Sequence, residues 1–160
     1  DLSADAVAVA QRALPQYASQ FHVGNMSQSS SDVFPTNHFD HVASFGALAM
    51  YLTLEQMLLA MKEAVRMTKP GGSLVFTHFW PIGSENRGTI REAVDASYWP
   101  KMANVLGVTN VRGHCMLHQG DRYAVTMTKK LRSEEPAMNP PPIWPSERGV
   151  GCVGVNNCGC

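Results

Sequence analysis

Apolar and polar positions change period several times along this chain, and each change predicts an element. Val7, Ala10 and Leu14 share one face of a helix over Ala4–Leu14, with Ser3 placed to cap it and Asp5 near its positive end. Pro15 ends that pattern, and in Phe21–Met26 the Phe and Val point the same way, as in a short strand running into a loop. The serine-rich stretch from Ser27 to Asn37 reads as that loop. Phe39–Phe45 predicts a second strand, and the apolar run Gly46–Leu52 leads to a helix start at Thr53, which has capping-box spacing to Gln56. Leu54, Met57, Leu58, Met61, Ala64 and Val65 then repeat at helical intervals.

Lys69-Pro70-Gly71-Gly72 predicts the close of that helix and a turn with positive φ. Ser73–Phe79 follows as a nearly continuous apolar strand, the pattern of a strand covered on both faces. Beyond Trp80 a helix is expected over Thr89–Leu106, kinked or split at Pro100. Val108–Leu117 and Arg122–Thr128 then read as an antiparallel hairpin about the turn His118-Gln119-Gly120-Asp121. Alternating helices and strands followed by a hairpin imply an α/β fold, an open and mostly parallel sheet with an antiparallel edge.

Composition narrows the picture modestly. Thirteen basic side chains balance thirteen acidic ones, so no net field draws the chain to nucleic acid or an anionic membrane. No apolar run is long enough to span a bilayer, and the first residues lack the order of a secretory signal, so a soluble, intracellular protein is expected. Cys152, Cys158 and Cys160 crowd the end of the chain, leaving Cys115 alone in the fold. That spacing predicts neither a disulfide framework nor a metal site, and a reducing compartment fits it best. The expected division is one domain over residues 1–132 and a Pro-, Gly- and Cys-rich flexible tail over 133–160.

Phe39-Asp40-His41-Val42, followed about 25 residues later by Lys69-Pro70-Gly71-Gly72 and an apolar strand, resembles the fourth strand and fifth-strand corner of class I S-adenosylmethionine-dependent methyltransferases of the type 11 kind. Asp121–Lys129 is similar to the family's antiparallel final strand. The likeness covers roughly residues 1 to 130, and it implies a Rossmann-like sheet whose first strand and glycine-rich loop would lie before Asp1. By the same resemblance Asp1, with Leu2 beside it, stands where an acidic residue holds the cofactor ribose. Asn25 and Met26 stand where the family meets adenine, and Ser44, Phe45 and Gly46 where it faces the methionine part. Each has a plainer role open to it: a helix-flanking Asp, a turn Asn, a core Met, an ordinary strand end.

No Gly-x-Gly-x-Gly-like loop follows a strand in this chain, so weak or no binding of S-adenosylmethionine by the chain alone is expected. Asn139-Pro140-Pro141-Pro142 superficially resembles an amino-group methyltransferase motif but lies at the wrong place and reads as polyproline. His78, at a strand end, has two readings, a base on a substrate hydroxyl or a structural histidine. Trp80, Tyr98 and Trp99 either line an acceptor pocket or belong to the core. No catalytic residue is assigned, since methyl transfer needs chiefly in-line positioning. Two functions follow: methyl transfer to a small-molecule acceptor, or a catalytically inactive, methyltransferase-like subunit whose open sheet edge is covered by a protein partner.

Overall fold

The helix with the strongest sequence pattern organises the rest. In the computed structural model, which describes residues 1–28, 30–79, 94, 96–116 and 122–131, Thr53 and Gln56 form the reciprocal capping box at the head of α3 (Leu54–Met67). Met57, Leu58, Met61, Ala64 and Val65 are buried on its inner face, so the apolar stripe read from the sequence is the stripe that packs. Before it come α1 (Ala4–Ala13), a 3₁₀ helix over Pro15–Gln20, β1 (Phe39–Phe45) and the short α2 (Ala47–Tyr51). After it come β2 (Thr68–Phe79), α4 (Tyr98–Leu106), β3 (Val108–Cys115) and β4 (Tyr123–Lys129).

The sheet order is β1-β2-β4-β3. β1 and β2 are parallel, while β4 is antiparallel to both of its neighbours. Three of the four described strands therefore run one way and the last runs against them, which is the expected Rossmann-like open α/β sheet with an antiparallel final strand. Leu74, Phe76 and Phe79 of β2, with Val125 and Met127 of β4, join Met57 and Met61 of α3 in one core.

Several expectations need correction. Phe21–Met26 is not a strand: among the described residues its ladder-like contact is with Asp1, whose amine donates to His22 O (3.1 Å) and whose carbonyl accepts from Gly24 N (2.8 Å). A single residue bracketed in this way is too short a ladder to count as a strand pair. Lys69-Pro70-Gly71-Gly72 does not separate α3 from the strand, because the ladder begins at Thr68 opposite Phe39 and resumes at Ser73 opposite His41. The four residues form a bulge, with Gly71 at the expected positive φ of 80°. Gly72 is required there: a Cβ would stand 2.7 Å from Asp40 O.

Pro15 follows the end of α1, as its position predicts, and also starts a 3₁₀ turn. Pro100 neither kinks nor splits α4, since it is the third residue of a helix that begins at Tyr98, where the backbone N–H has no intrahelical partner to lose. The predicted helical residues 89–93, the turn His118–Asp121, Trp80 and the tail from Ser133 lie outside the described residues. Cys115, at the end of β3, is disulfide-bonded, a bridge that the spacing of the cysteines did not suggest.

Two polar clusters lock this architecture. Trp99 Nε1 donates to Tyr123 Oη (3.0 Å), which in turn donates to Val94 O, all of them buried. Arg66 grips Glu63 through Nε (2.8 Å) and Nη2 (2.7 Å) and also donates to Phe34 O and Thr36 Oγ1. Ser30 gives Glu63 Oε1 both its N–H and its hydroxyl, each at 2.7 Å. The loop before β1 is thus clamped to α3.

Replacing Tyr123 by Phe removes the acceptor of Trp99 and the donor to Val94, and a loss of about 1–3 kcal/mol is expected. Urea unfolding should show a lower midpoint at an unchanged m-value. The Arg66 guanidinium first, and then Ser30, hold the Glu63 carboxyl at about 2 instead of 4.5, against the opposing effect of burial. Its folded-state pKa is depressed, so the contribution is complete above pH 4.5 and is lost as pH falls toward 2. Glu63→Gln should remove at most about 3 kcal/mol at neutral pH and flatten stability across that window. Asp40, exposed and lowered by Lys69, leaves a shallower residual slope there.

Candidate functional site

Ligands of open α/β sheets sit at the carboxyl ends of the parallel strands. Here β1 and β2 end in register, with Phe45 opposite Thr77 as the last pair. One residue later both backbones enter the left-handed region, Gly46 at φ 77° and His78 at φ 65°. Gly46 is needed for its conformation, not its size: a Cβ would find ordinary contacts, 3.7 Å to His78 Cγ and Nδ1 and 3.8 Å to Met50 Sδ. The turn it makes starts α2 directly above the strand end.

His78 reaches its position through a second bulge. Phe76 faces Val125 and Phe79 faces Tyr123, so three steps along β2 match two along β4. The extra residue re-aims the local side chains, and a left-handed non-glycine costs on the order of 1–3 kcal/mol. The imidazole is held beside Gly46, with Nδ1 2.6 Å from Thr77 Oγ1.

Beside these strand ends lies a cleft of about 690 Å³. One wall is Asp1 and the segment from Gln20 to Met26; the other is Val42, Ala43 and Ser44 of β1; Ala60, Glu63 and Ala64 of α3 close it. Of the residues singled out in the sequence, Asp1, Asn25, Met26 and Ser44 come together on this cleft. Leu2, Phe45 and Gly46 do not line it, and the Leu2 and Phe45 side chains are strongly exposed.

Asp1 is well anchored. Beyond its two backbone bonds to the facing segment, Oδ1 accepts from Ser3 N at 2.8 Å, which leaves most acceptor positions of the carboxylate open. Asn25 is committed to a turn: Oδ1 accepts from both Ser27 N (3.0 Å) and Ser27 Oγ (2.8 Å). Both carbonyl lone pairs are thereby used, which leaves the Nδ2 donors of Asn25 as its means of meeting a ligand. Met26 is half-exposed at the mouth.

The donor set suits a nucleoside, with a carboxylate for vicinal hydroxyls and apolar surface from Val23, Met26 and Phe76 for a base. No Lys or Arg lines the cleft. An amino-acid carboxylate would thus meet no cationic side chain among the described residues. Sequence reasoning missed His22, Phe34 and the α3 wall. Ala60 and Ala64, small residues one turn apart, were the available signal for that wall.

Residues 1–76 match the model of a family described as methyltransferase domain. No curated protein matches the chain. Among solved structures, it resembles an S-adenosylmethionine-dependent methyltransferase from Methanosarcina mazei, with 14% identity and a TM-score of 0.60 over 82% of this chain and 81% of that one. It is also similar to the apo form of the S-adenosylmethionine-dependent methyltransferase SibL, with 16% identity, a TM-score of 0.60, and 79% and 41% of the two chains covered. The [4+2]-cyclase SpnF shares the fold at 16% identity and a TM-score of 0.58, over 81% of this chain and 65% of its own. The chain thus spans most of the first of these proteins but under half of the second. Residues 1–76 thus match the methyltransferase-domain model, and the chain shares the Rossmann-like fold of these solved structures.

Proposed function

We propose that the chain contributes to S-adenosylmethionine-dependent methyl transfer onto a small-molecule acceptor. The observation that carries this reading is the convergence of Asp1, Asn25, Met26 and Ser44 on one nucleoside-sized cleft beside the strand ends. Asp1 would take the ribose hydroxyls, which a carboxylate can accept as a pair. Met26 would pack against the adenine face while Asn25 donates from Nδ2 to a ring nitrogen. Ser44 and the Gly46 backbone would border the methionine part, Gly46 because it allows close approach. When bound, the cofactor supplies an electrophilic methyl group. The protein's task is then to hold an acceptor in line with it and to exclude water.

A second reading is favoured by one further observation. Among the described residues β1 pairs with β2 alone, so its outer edge, which faces the cleft, offers unpaired backbone groups. An edge of this kind accepts an added strand from a partner, which suits an inactive, methyltransferase-like subunit. SpnF, named a [4+2]-cyclase, illustrates that the fold by itself does not fix the chemistry.

Calorimetry separates the two. Titration with S-adenosylmethionine should give a saturable heat with Kd of roughly 0.1–1 mM, weak because no cationic side chain in the cleft meets the amino-acid end. Asp1→Asn keeps the acceptor for Ser3 N but should weaken binding about tenfold by removing the charge. A folded chain that gives no heat at millimolar cofactor would exclude catalysis by this chain alone and leave the partner-binding subunit.

A further inference from the structure

The strand ends hold a group that the cofactor cleft does not use. His78 does not line that cleft, yet it occupies a bulge, adopts φ 65°, and sets its ring against Gly46 at the tip of the neighbouring strand. The other described non-glycine residues with positive φ are Asn37 and Asn110, and Asn enters that region readily because its short polar side chain bonds locally. His78 instead presents a titratable ring, fixed at Nδ1 by the buried Thr77 hydroxyl 2.6 Å away. A bulge that re-aims a side chain, a backbone outlier and a ring held through one nitrogen together mark a functional position more than a packing one.

The surroundings indicate what that ring meets. Phe45, the residue before Gly46, is 74% exposed, and Tyr51, next to Met50, is 68% exposed. Two large aromatic side chains left in solvent on segments adjoining the His78 position favour a flat aromatic ligand. Phenols ionise near pH 10, far more readily than aliphatic alcohols, so a single imidazole is an adequate base for one.

We infer that His78 is a catalytic residue that binds a phenolic hydroxyl and takes its proton during methyl transfer; this rests on the methyl-transfer reading above. Nδ1–H donates to Thr77 Oγ1, which leaves the lone pair of Nε2 free. As the phenolic oxygen forms its bond to the methyl carbon, the O–H proton passes to Nε2. The bond between methyl carbon and sulfur breaks with its electron pair staying on sulfur. The products are an aryl methyl ether, a neutral thioether and an imidazolium, which returns its proton to solvent. The positive charge lost by the sulfonium is the charge gained by the ring, so the step is balanced.

The test needs no cofactor to begin. In the chain labelled with ¹⁵N-histidine, long-range nitrogen–proton correlation should find neutral His78 with its proton on Nδ1. Thr77→Val should abolish that preference. Titration with phenol should shift the Nε2 resonance to a plateau. A proton resident on Nε2, or a His78 ring that ignores saturating phenol, overturns the inference even where S-adenosylmethionine binds. With cofactor and phenol present, His78→Gln should cut kcat by roughly 10²-fold or more while leaving cofactor Kd within about twofold. An unchanged kcat overturns the catalytic role. If phenol shifts the ring but calorimetry with the cofactor stays silent, the methyl-transfer reading falls, and with it the proton-transfer step. His78→Asn, a residue at ease at positive φ, controls for folding: equal thermal midpoints with lost activity support chemistry over structure.

Discussion

Everything at the functional end of this sheet depends on how α3 ends at the other. The last carbonyls of α3 and the first of β2 are taken up by Thr68 itself, by the two residues that lead into β1 and by the end of β4. Ala64 O accepts the Thr68 hydroxyl, Arg66 O accepts Asn37 N, Met67 O accepts His38 N, and Lys129 Nζ donates to Thr68 O at 2.9 Å. Asn37 and His38 lead directly into β1, and Lys129 is the last residue of β4. A helix terminus with negative partial charge and orphan acceptors has thus become the point where three strands are tied together. Once β1 and β2 start from one knot, five paired positions from His41 to Phe45 carry the register to their tips without slipping. Gly46 and His78 are neighbours because of that knot.

Much of this was legible in the sequence, for identifiable reasons. The capping box at Thr53, the α3 stripe and the β1 boundaries rest on local chemistry that tertiary structure does not override. The Lys-Pro-Gly-Gly segment misled because its composition demands positive φ and close approach, which a turn and a bulge supply equally well. Only the partner strand decides between them. Pro100 misled for a simpler reason: its effect depends on where the helix starts, and that start is set by packing of Trp99 under β4 and not by local propensity.

The site was legible in part. Asp1, Asn25, Met26 and Ser44, singled out by the family resemblance, line one cleft, although the strand expected over Phe21–Met26 does not form. What sequence could not give was the internal commitment of those groups. Nothing in the string Asn25-Met26-Ser27 says that both lone pairs of the amide are used by Ser27. Likewise, Ser73–Phe79 reads as unbroken strand, and the bulge that turns His78 has no signature short of its pairing with β4.

The two halves of the strand-end region differ in how far the chain completes them, and this difference has a physical consequence. On the His78 side, the pieces are in place: a strained backbone, a ring fixed by Thr77, and a neighbouring strand tip that touches it. Strain of that kind persists only where surrounding structure over-determines it, here β4 on one side and β1 on the other. On the cleft side, one wall is a true strand, while the facing wall is held by Asp1 and the Glu63–Arg66–Ser30 clamp instead of a ladder. A ligand or a strand entering there would meet apolar surface and backbone partners together. The geometry around His78 is therefore set by strand pairing, whereas that of the cleft wall is set by side-chain and single-residue contacts.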